Sequence, residues 1–126
     1  MKPKKIIITG GATRIGAAIA ESLANYGTEI SIHYNKSKKH ALKLKSRLEN
    51  LGSEVHLLKA DLNNFKQTQN LLKIANKKMK GVDCLINNAS VFENDDLQNF
   101  SEKSFIKHVN INLKAPAILI QNLKKV

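Results

Sequence analysis

The chain has 126 residues, 42% apolar and 25% charged, enough for one globular core. Lys and Arg outnumber Asp and Glu by 21 to 10, a net charge of +11, but the lysines are scattered with few aromatics between them, which describes a solvated basic surface and not a nucleic-acid face. No apolar run approaches the roughly 18 residues of a membrane span, Ile6–Ile8 behind the basic start Met1-Lys2-Pro3-Lys4-Lys5 is too short for a signal peptide, and a lone Cys84 rules out an internal disulfide and suits a reducing, cytoplasmic setting.

The elements alternate between the two kinds of periodicity, the pattern of a parallel sheet with helices on its faces. Strand one is expected over Lys5 to Thr9. A helix follows from Arg14 to Tyr26, with Ile15, Ala18, Ile19 and Leu23 on one face and Gly27 as its C-cap. Strand two covers Glu29 to Tyr34, with Ile30 and Ile32 on one side. Ser37 then caps a helix from Lys38 to Leu51 that carries Ala41, Leu44, Leu48 and Leu51, and Gly52 ends it. Strand three is Glu54 to Lys59. A helix beginning near Asn64 and stopping at Gly81 carries Leu71, Leu72, Ala75 and Met79. Strand four is Val82 to Ile86, with Cys84 as core. An Asn-Asn-Ala-Ser turn and an acidic stretch from Glu93 to Leu97 lead to a last helix from Ser101. That helix carries Phe105, Val109, Leu113, Ile120 and Leu123, with a kink or a restart at Pro116.

The first strand, loop and helix carry the functional signal. Small residues after Ile6-Ile7-Ile8 let backbone N–H groups approach a ligand closely. The helix behind them directs its free N–H groups and positive dipole end at the same place, a ready site for a pyrophosphate. Gly11 and Gly16 have the glycine spacing of a P-loop, but Ala17-Ala18 stand where that loop needs Lys and Ser/Thr, which excludes an NTPase. A dinucleotide fold selects NAD with an acid at the end of strand two. Here that stretch is His33-Tyr34-Asn35-Lys36-Ser37, with no acid and with Arg14 within reach, so a 2′-phosphate and hence NADP(H) is favoured.

The loop Thr9-Gly10-x-x-x-Arg14-Ile15-Gly16 resembles that of the short-chain dehydrogenase/reductase family, with Arg14 in place of the middle glycine. That replacement, the His-Tyr-x-basic-Ser stretch and Asn87-Asn88-Ala89-Ser90 (usually ending in Gly) resemble the pteridine reductase or dihydrofolate reductase-like branch. The resemblance implies a Rossmann-type doubly wound α/β sheet of order 3-2-1-4 over residues 1–126, the N-terminal portion of the family's domain. It implies a cofactor site of Gly10, Arg14, Ile15, Gly16, His33, Tyr34, Lys36, Ser37, Asp61, Leu62, Asn88, Ala89 and Ser90. Ser90 and Phe92 would touch a pterin, Phe92 by stacking. Asn112 would be the catalytic asparagine, holding a water and a local helix distortion in a proton relay. No metal is implied. Lys36 stands where that branch often has Arg, at the cost of bidentate phosphate contact.

The family's Tyr-x-x-x-Lys pair and strand-five serine would lie beyond the last helix. Tyr34 and Lys38 share that spacing by coincidence, at the adenosine end of the cofactor. The resemblance therefore implies NADPH-dependent hydride transfer to a pterin or dihydrofolate ring in a homo-oligomeric full-length enzyme, with this chain inactive alone. Lys124-Lys125-Val126 is helix-like with no turn signal, which favours truncation; a broken gene, a split enzyme and a deliberately shortened chain stay open. Strand four would be an apolar edge. A non-catalytic nucleotide-binding or dimerising remnant and a reductase for another carbonyl substrate are the alternatives.

Overall fold

The computed structural model describes residues 3–126; Met1 and Lys2 of the basic start lie outside it. Four strands, β1 (Lys5–Ile8), β2 (Glu29–Tyr34), β3 (Glu54–Lys59) and β4 (Cys84–Ile86), alternate with α1 (Arg14–Leu23), α2 (Lys38–Asn50) and α3 (Phe65–Met79). Beyond β4 come α4 (Glu102–Val109), a π-helical turn (Asn110–Lys114) and α5 (Ala115–Leu123). The sheet is wholly parallel in the order β3-β2-β1-β4, with Ile6 opposite both Ile30 and Cys84, the Rossmann-like order expected.

Alternation along β1 divides the core. Ile6 and Ile8 face Ala20 of α1 and Ala41, Leu44 and Leu48 of α2, together with Ile30, Ile32 and Val55. Ile7 faces the other way, onto Leu71, Leu72, Ala75 and Met79 of α3 and Ala115 and Leu119 of α5. Burial of each large aliphatic side chain contributes about 1.5–3 kcal/mol. β4 is paired on one side only, and its residues are half-buried where those of β1 are buried. The strand starts at Cys84 and not at Val82; the preceding Asp83 ties it to the start of β1, its N–H donating to the Lys5 carbonyl at 2.8 Å and its side chain accepting from the backbone N–H groups of Lys4 and Lys5 at 3.0 and 2.9 Å. These two N–H groups, helped by the lysine charges, hold the Asp83 carboxyl below its usual range.

Several local expectations are corrected. α1 stops at Leu23, and Gly27 serves the turn into β2 (φ +88°) instead of capping the helix. The Asn25 N–H is taken by the hydroxyl of Thr28 in the turn at 3.2 Å and by that of Ser53, 28 residues on, at 3.1 Å. α1 packs through Gly16 and Ala20, not through Ile15 and Ala18, which face outward; small residues let the helix sit close to the sheet. Leu51 is exposed because α2 ends before it. Ser37 is at the N-cap of α2 but makes no capping bond, whereas Asn64 and Ser101 accept from Gln67 and Ser104 N–H at 3.0 and 3.2 Å. Pro116 stands in the first turn of a restarted helix. The turn before it is wide: Asn110 C=O accepts from Ala115 N–H, five residues on. One extra residue rotates the remainder of the helix by about 100°. Ala115, Leu119 and Asn122 therefore point inward, while Phe105, Leu113 and Ile120 of the expected stripe are exposed.

Candidate functional site

All four strands run the same way, so the loops after them gather at one edge of the sheet. The order reverses between β1 and β4, the switch point beside which open α/β sheets bind ligands. The β1 and β4 loops are locked together there. Thr9 Oγ1 accepts from the N–H groups of Asn88 and Ala89, both at 3.0 Å, while Asn88 Nδ2 donates to the carbonyls of Thr9 and Gly10 at 3.0 and 2.9 Å.

This contact leaves no room for side chains. Gly10 adopts φ +57°, and a Cβ on it would stand 2.8 Å from Ala89 Cα. A Cβ on Gly16 would stand 2.3 Å from the Gly10 carbonyl oxygen and 2.7 Å from Asn88 Nδ2. Arg14 adopts the left-handed region at φ +50°, a conformation that glycine takes at no steric cost. The first intrahelical bond of α1 is Ala17 N–H to Thr13 C=O; Thr13 makes no side-chain cap and the first turn holds no acid. The N–H groups of Arg14, Ile15 and Gly16 are thus the uncapped start of the helix, where an anion is stabilised. Ile15 is 71% exposed beside them.

The stretch after β2 adds a second uncapped helix start, that of α2, again with no acid in its first turn. Lys36 and Arg14 are exposed, and among the described residues neither forms an ion pair. Tyr34 and Ser37 are half-buried. His33 departs from expectation. It is 3% exposed; its Nδ1 accepts from Gly10 N–H at 3.0 Å, which leaves Nε2 to donate to the Ala60 carbonyl at 2.9 Å. The imidazole is neutral, its pKa lowered chiefly by burial, and both ring nitrogens are bonded to backbone groups of the protein.

After β3, Asp61 Oδ1 accepts from Asn63 N–H at 2.9 Å and the Asp61 N–H donates to Gln67 at 2.7 Å, so this residue shapes a turn. Leu62 is 7% exposed and its side chain belongs to the core, which leaves its backbone to border the edge.

The loop after β4 is pinned at two points. Asn112, in the π-helical turn, accepts from Val91 N–H at 2.8 Å and donates to Val91 C=O at 2.9 Å. His108 Nε2 accepts from Glu93 N–H at 3.0 Å, and its Nδ1 donates to Ser104 C=O at 2.7 Å. Lys107 pairs with Glu93 and, as the main cause, holds that carboxyl below its usual range. Between the pins Phe92 is held 86% exposed, with Ser90 exposed beside it.

Gly10, Arg14, Ile15, Gly16, Asn88 and Ala89 thus form one cluster, with Tyr34, Lys36 and Ser37 on the β2 side of that edge and Ser90, Phe92 and Asn112 on the β4 side. Sequence reasoning missed Thr9 as the hub of the two loops, although it stands in the quoted motif, and His108 as a pin, for which the sequence carries no signal. Glu29, Glu54 and His56 converge at the opposite edge, where His56 Nε2 lies 2.8 Å from Glu29 Oε1. A depression of about 480 Å³ between Asn63 and α4 includes Lys107 in its lining but no residue of the loops after β1, β2 or β4.

The family description "short chain dehydrogenase" matches residues 4–125. Among curated relatives, the short-chain dehydrogenase/reductase FrzI of Cladobotryum sp is 29% identical over 118 residues, 94% of this chain and 46% of its own length. A short chain dehydrogenase of Burkholderia cenocepacia, solved in complex with NADP, superimposes with a TM-score of 0.92 at 30% identity, covering 97% of this chain and 50% of that one. FolM alternative dihydrofolate reductase 1 of Brucella canis, also complexed with NADP, gives 0.86 at 32% identity, covering 95% and 48%. The chain spans about half the length of the proteins it matches.

Proposed function

The chain belongs to the short-chain dehydrogenase family, and we propose that it carries the NADP(H)-binding half of a reductase resembling those for pterins or dihydrofolate. The observation that carries the reading is a pair of helix starts on one edge of the sheet, that of α1 at the switch point and that of α2 after the neighbouring β2: both begin uncapped, without acids, beside Arg14 and Lys36. The N–H groups of Arg14, Ile15 and Gly16 would hold the pyrophosphate, where the missing side chains of Gly10 and Gly16 let the loops close up. Arg14, Tyr34, Lys36, Ser37 and the start of α2 would hold the 2′-phosphate. Asp61 and the backbone at Leu62 would serve the adenine, and Asn88, Ala89 and Ser90 the nicotinamide. Related proteins solved with NADP support this cofactor.

When bound, the dinucleotide supplies the hydride. Phe92, held exposed between two backbone anchors, offers a flat apolar face to a heteroaromatic ring, and Ser90 a hydroxyl. Asn112 uses its side chain on Val91, and Pro116, four residues on, has no N–H for the ordinary helical bond to the Asn112 carbonyl, so that carbonyl would be the group to hold a relay water. The chain's two tyrosines are Tyr26, exposed beside Gly27, and Tyr34, at the end of β2; both belong to the stretch between α1 and α2, whereas Asn112 lies beyond β4. We therefore assign it cofactor binding without turnover by itself, in a cytoplasmic setting.

Calorimetric titration tests this. NADP+ binds at least about tenfold more tightly than NAD+, and Lys36→Glu removes the preference, a tenfold ratio being about 1.4 kcal/mol. Equal affinity for both, or for neither, refutes the cofactor assignment. Steady NADPH oxidation with a dihydropterin by this chain alone refutes its inactivity. A second reading, self-association, is favoured by the exposed apolar side chains Phe105, Ile106, Leu113 and Ile120 along α4 and α5. Sedimentation showing a strict monomer at high concentration counts against it.

A further inference from the structure

We propose that His33 is a positioning residue for the phosphate loop: its neutral imidazole, by accepting the Gly10 N–H, sets the loop shape that receives a dinucleotide, and protonation of the ring releases that loop. The nucleotide arm rests on the NADP(H) reading above; the structural arm does not.

Two successive amides of the loop end on one residue. Gly10 N–H goes to His33 Nδ1 and Gly11 N–H to the His33 carbonyl, both at 3.0 Å. The first half of the loop is thereby turned inward, and the N–H groups of Arg14, Ile15 and Gly16 are left facing out. Through Nε2 the same ring holds the Ala60 carbonyl, just past β3. One buried side chain thus fastens the carboxyl ends of β1, β2 and β3 to each other. Adding a proton turns Nδ1 into a donor that faces another donor, the Gly10 N–H, with no water to relieve it. The surroundings from β1 (Gly10, Gly11) and from β3 (Leu58 in register, Ala60) are neutral. Among the described residues Asp61, beyond β3, is the only charged group that acts on the ring, and it favours the proton more weakly than burial opposes it. Because the folded-state pKa lies below the ordinary value, the neutral form and its bond hold at neutral pH and are lost as pH falls through the folded value.

The test follows Gly10 amide hydrogen exchange and NADP+ affinity in the 126-residue chain from about pH 8 down to about pH 4, below the span in which an unperturbed histidine switches, because burial lowers this one. In the wild type, Gly10 protection falls with acidification and NADP+ affinity falls at least about tenfold. His33→Leu removes the acceptor at similar volume and weakens binding at every pH. His33→Asn places an oxygen where Nδ1 stood, recovers most of the affinity lost in His33→Leu, and shows a shallower pH profile. The slope that remains belongs to the 2′-phosphate of the ligand, whose own pKa is about 6. Constant Gly10 protection across the range, or a His33→Asn profile that tracks the wild type, overturns the proposal. If the wild type binds no NADP+ near pH 8, the cofactor reading fails and Gly10 protection alone decides the role of His33. If the variants do not fold, the pH dependence of the wild-type Gly10 amide decides it.

Discussion

Replacing Gly16 and Gly27 by alanine separates two reasons for a glycine. At Gly27 the backbone is left-handed, φ +88°, and a Cβ would meet nothing within 4 Å, so only conformational strain is added. That costs about 1 kcal/mol. At Gly16 the backbone is unstrained, but the Cβ would press on the Gly10 carbonyl, Asn88 Nδ2 and Gly11 Cα at 2.3, 2.7 and 2.8 Å. Forced repacking costs about 2 kcal/mol. Displacing Asn88 also forfeits its bonds to Thr9 and Gly10 carbonyls, about 1 kcal/mol each. The better helix propensity of alanine returns about 1 kcal/mol, which leaves a net loss of about 3 kcal/mol. With an m-value of about 1.5 kcal/mol/M, urea midpoints fall by about 2 M for Gly16→Ala and about 0.7 M for Gly27→Ala. NADP+ binding survives in the second variant and is lost in the first. If Gly16→Ala melts with the wild type, or Gly27→Ala is the more damaging, close approach of the two loops is not what holds this edge together.

Arg14→Gly relieves the left-handed strain at residue 14 and raises stability by about 1 kcal/mol, read as an increase in melting temperature of about 3 °C. The same change weakens NADP+ about tenfold and NAD+ much less, because the lost charge serves the 2′-phosphate. Asn112→Leu frees Val91, and hydrogen exchange at the Val91 amide accelerates about fivefold, the equivalent of one bond of about 1 kcal/mol, while β1 amides are unaffected. Asp83 contributes stability above its ordinary pKa that is lost as pH falls through its lowered folded value. Asp83→Asn therefore flattens the acid limb of a stability–pH curve and leaves the limb above pH 6 in place, as circular dichroism melts at stepped pH would record.

Features that rest on neighbours in the chain were legible in the sequence. Strand and helix periods identified the four strands and the first three helices, Asn64 and Ser101 marked two helix starts, and the residues from Thr9 to Gly16 marked the loop that opens α1. The strand order was legible through a family resemblance, because motifs carry spacing that composition does not, and the same motifs named the candidate site residues. Which way these residues face is a property of the packed molecule alone. His33 sits in the motif stretch and reads as a ligand contact, yet burial and two distant partners turn it inward. Leu62 turns inward with it. Thr9 binds backbone 79 and 80 residues away, a separation at which no local signal exists. The last helix shows the same limit: a 3.6-residue period assumes unbroken i to i+4 bonding. The wide turn at Asn110–Lys114 breaks that bonding, and a periodic reading has no means to know the phase on its far side.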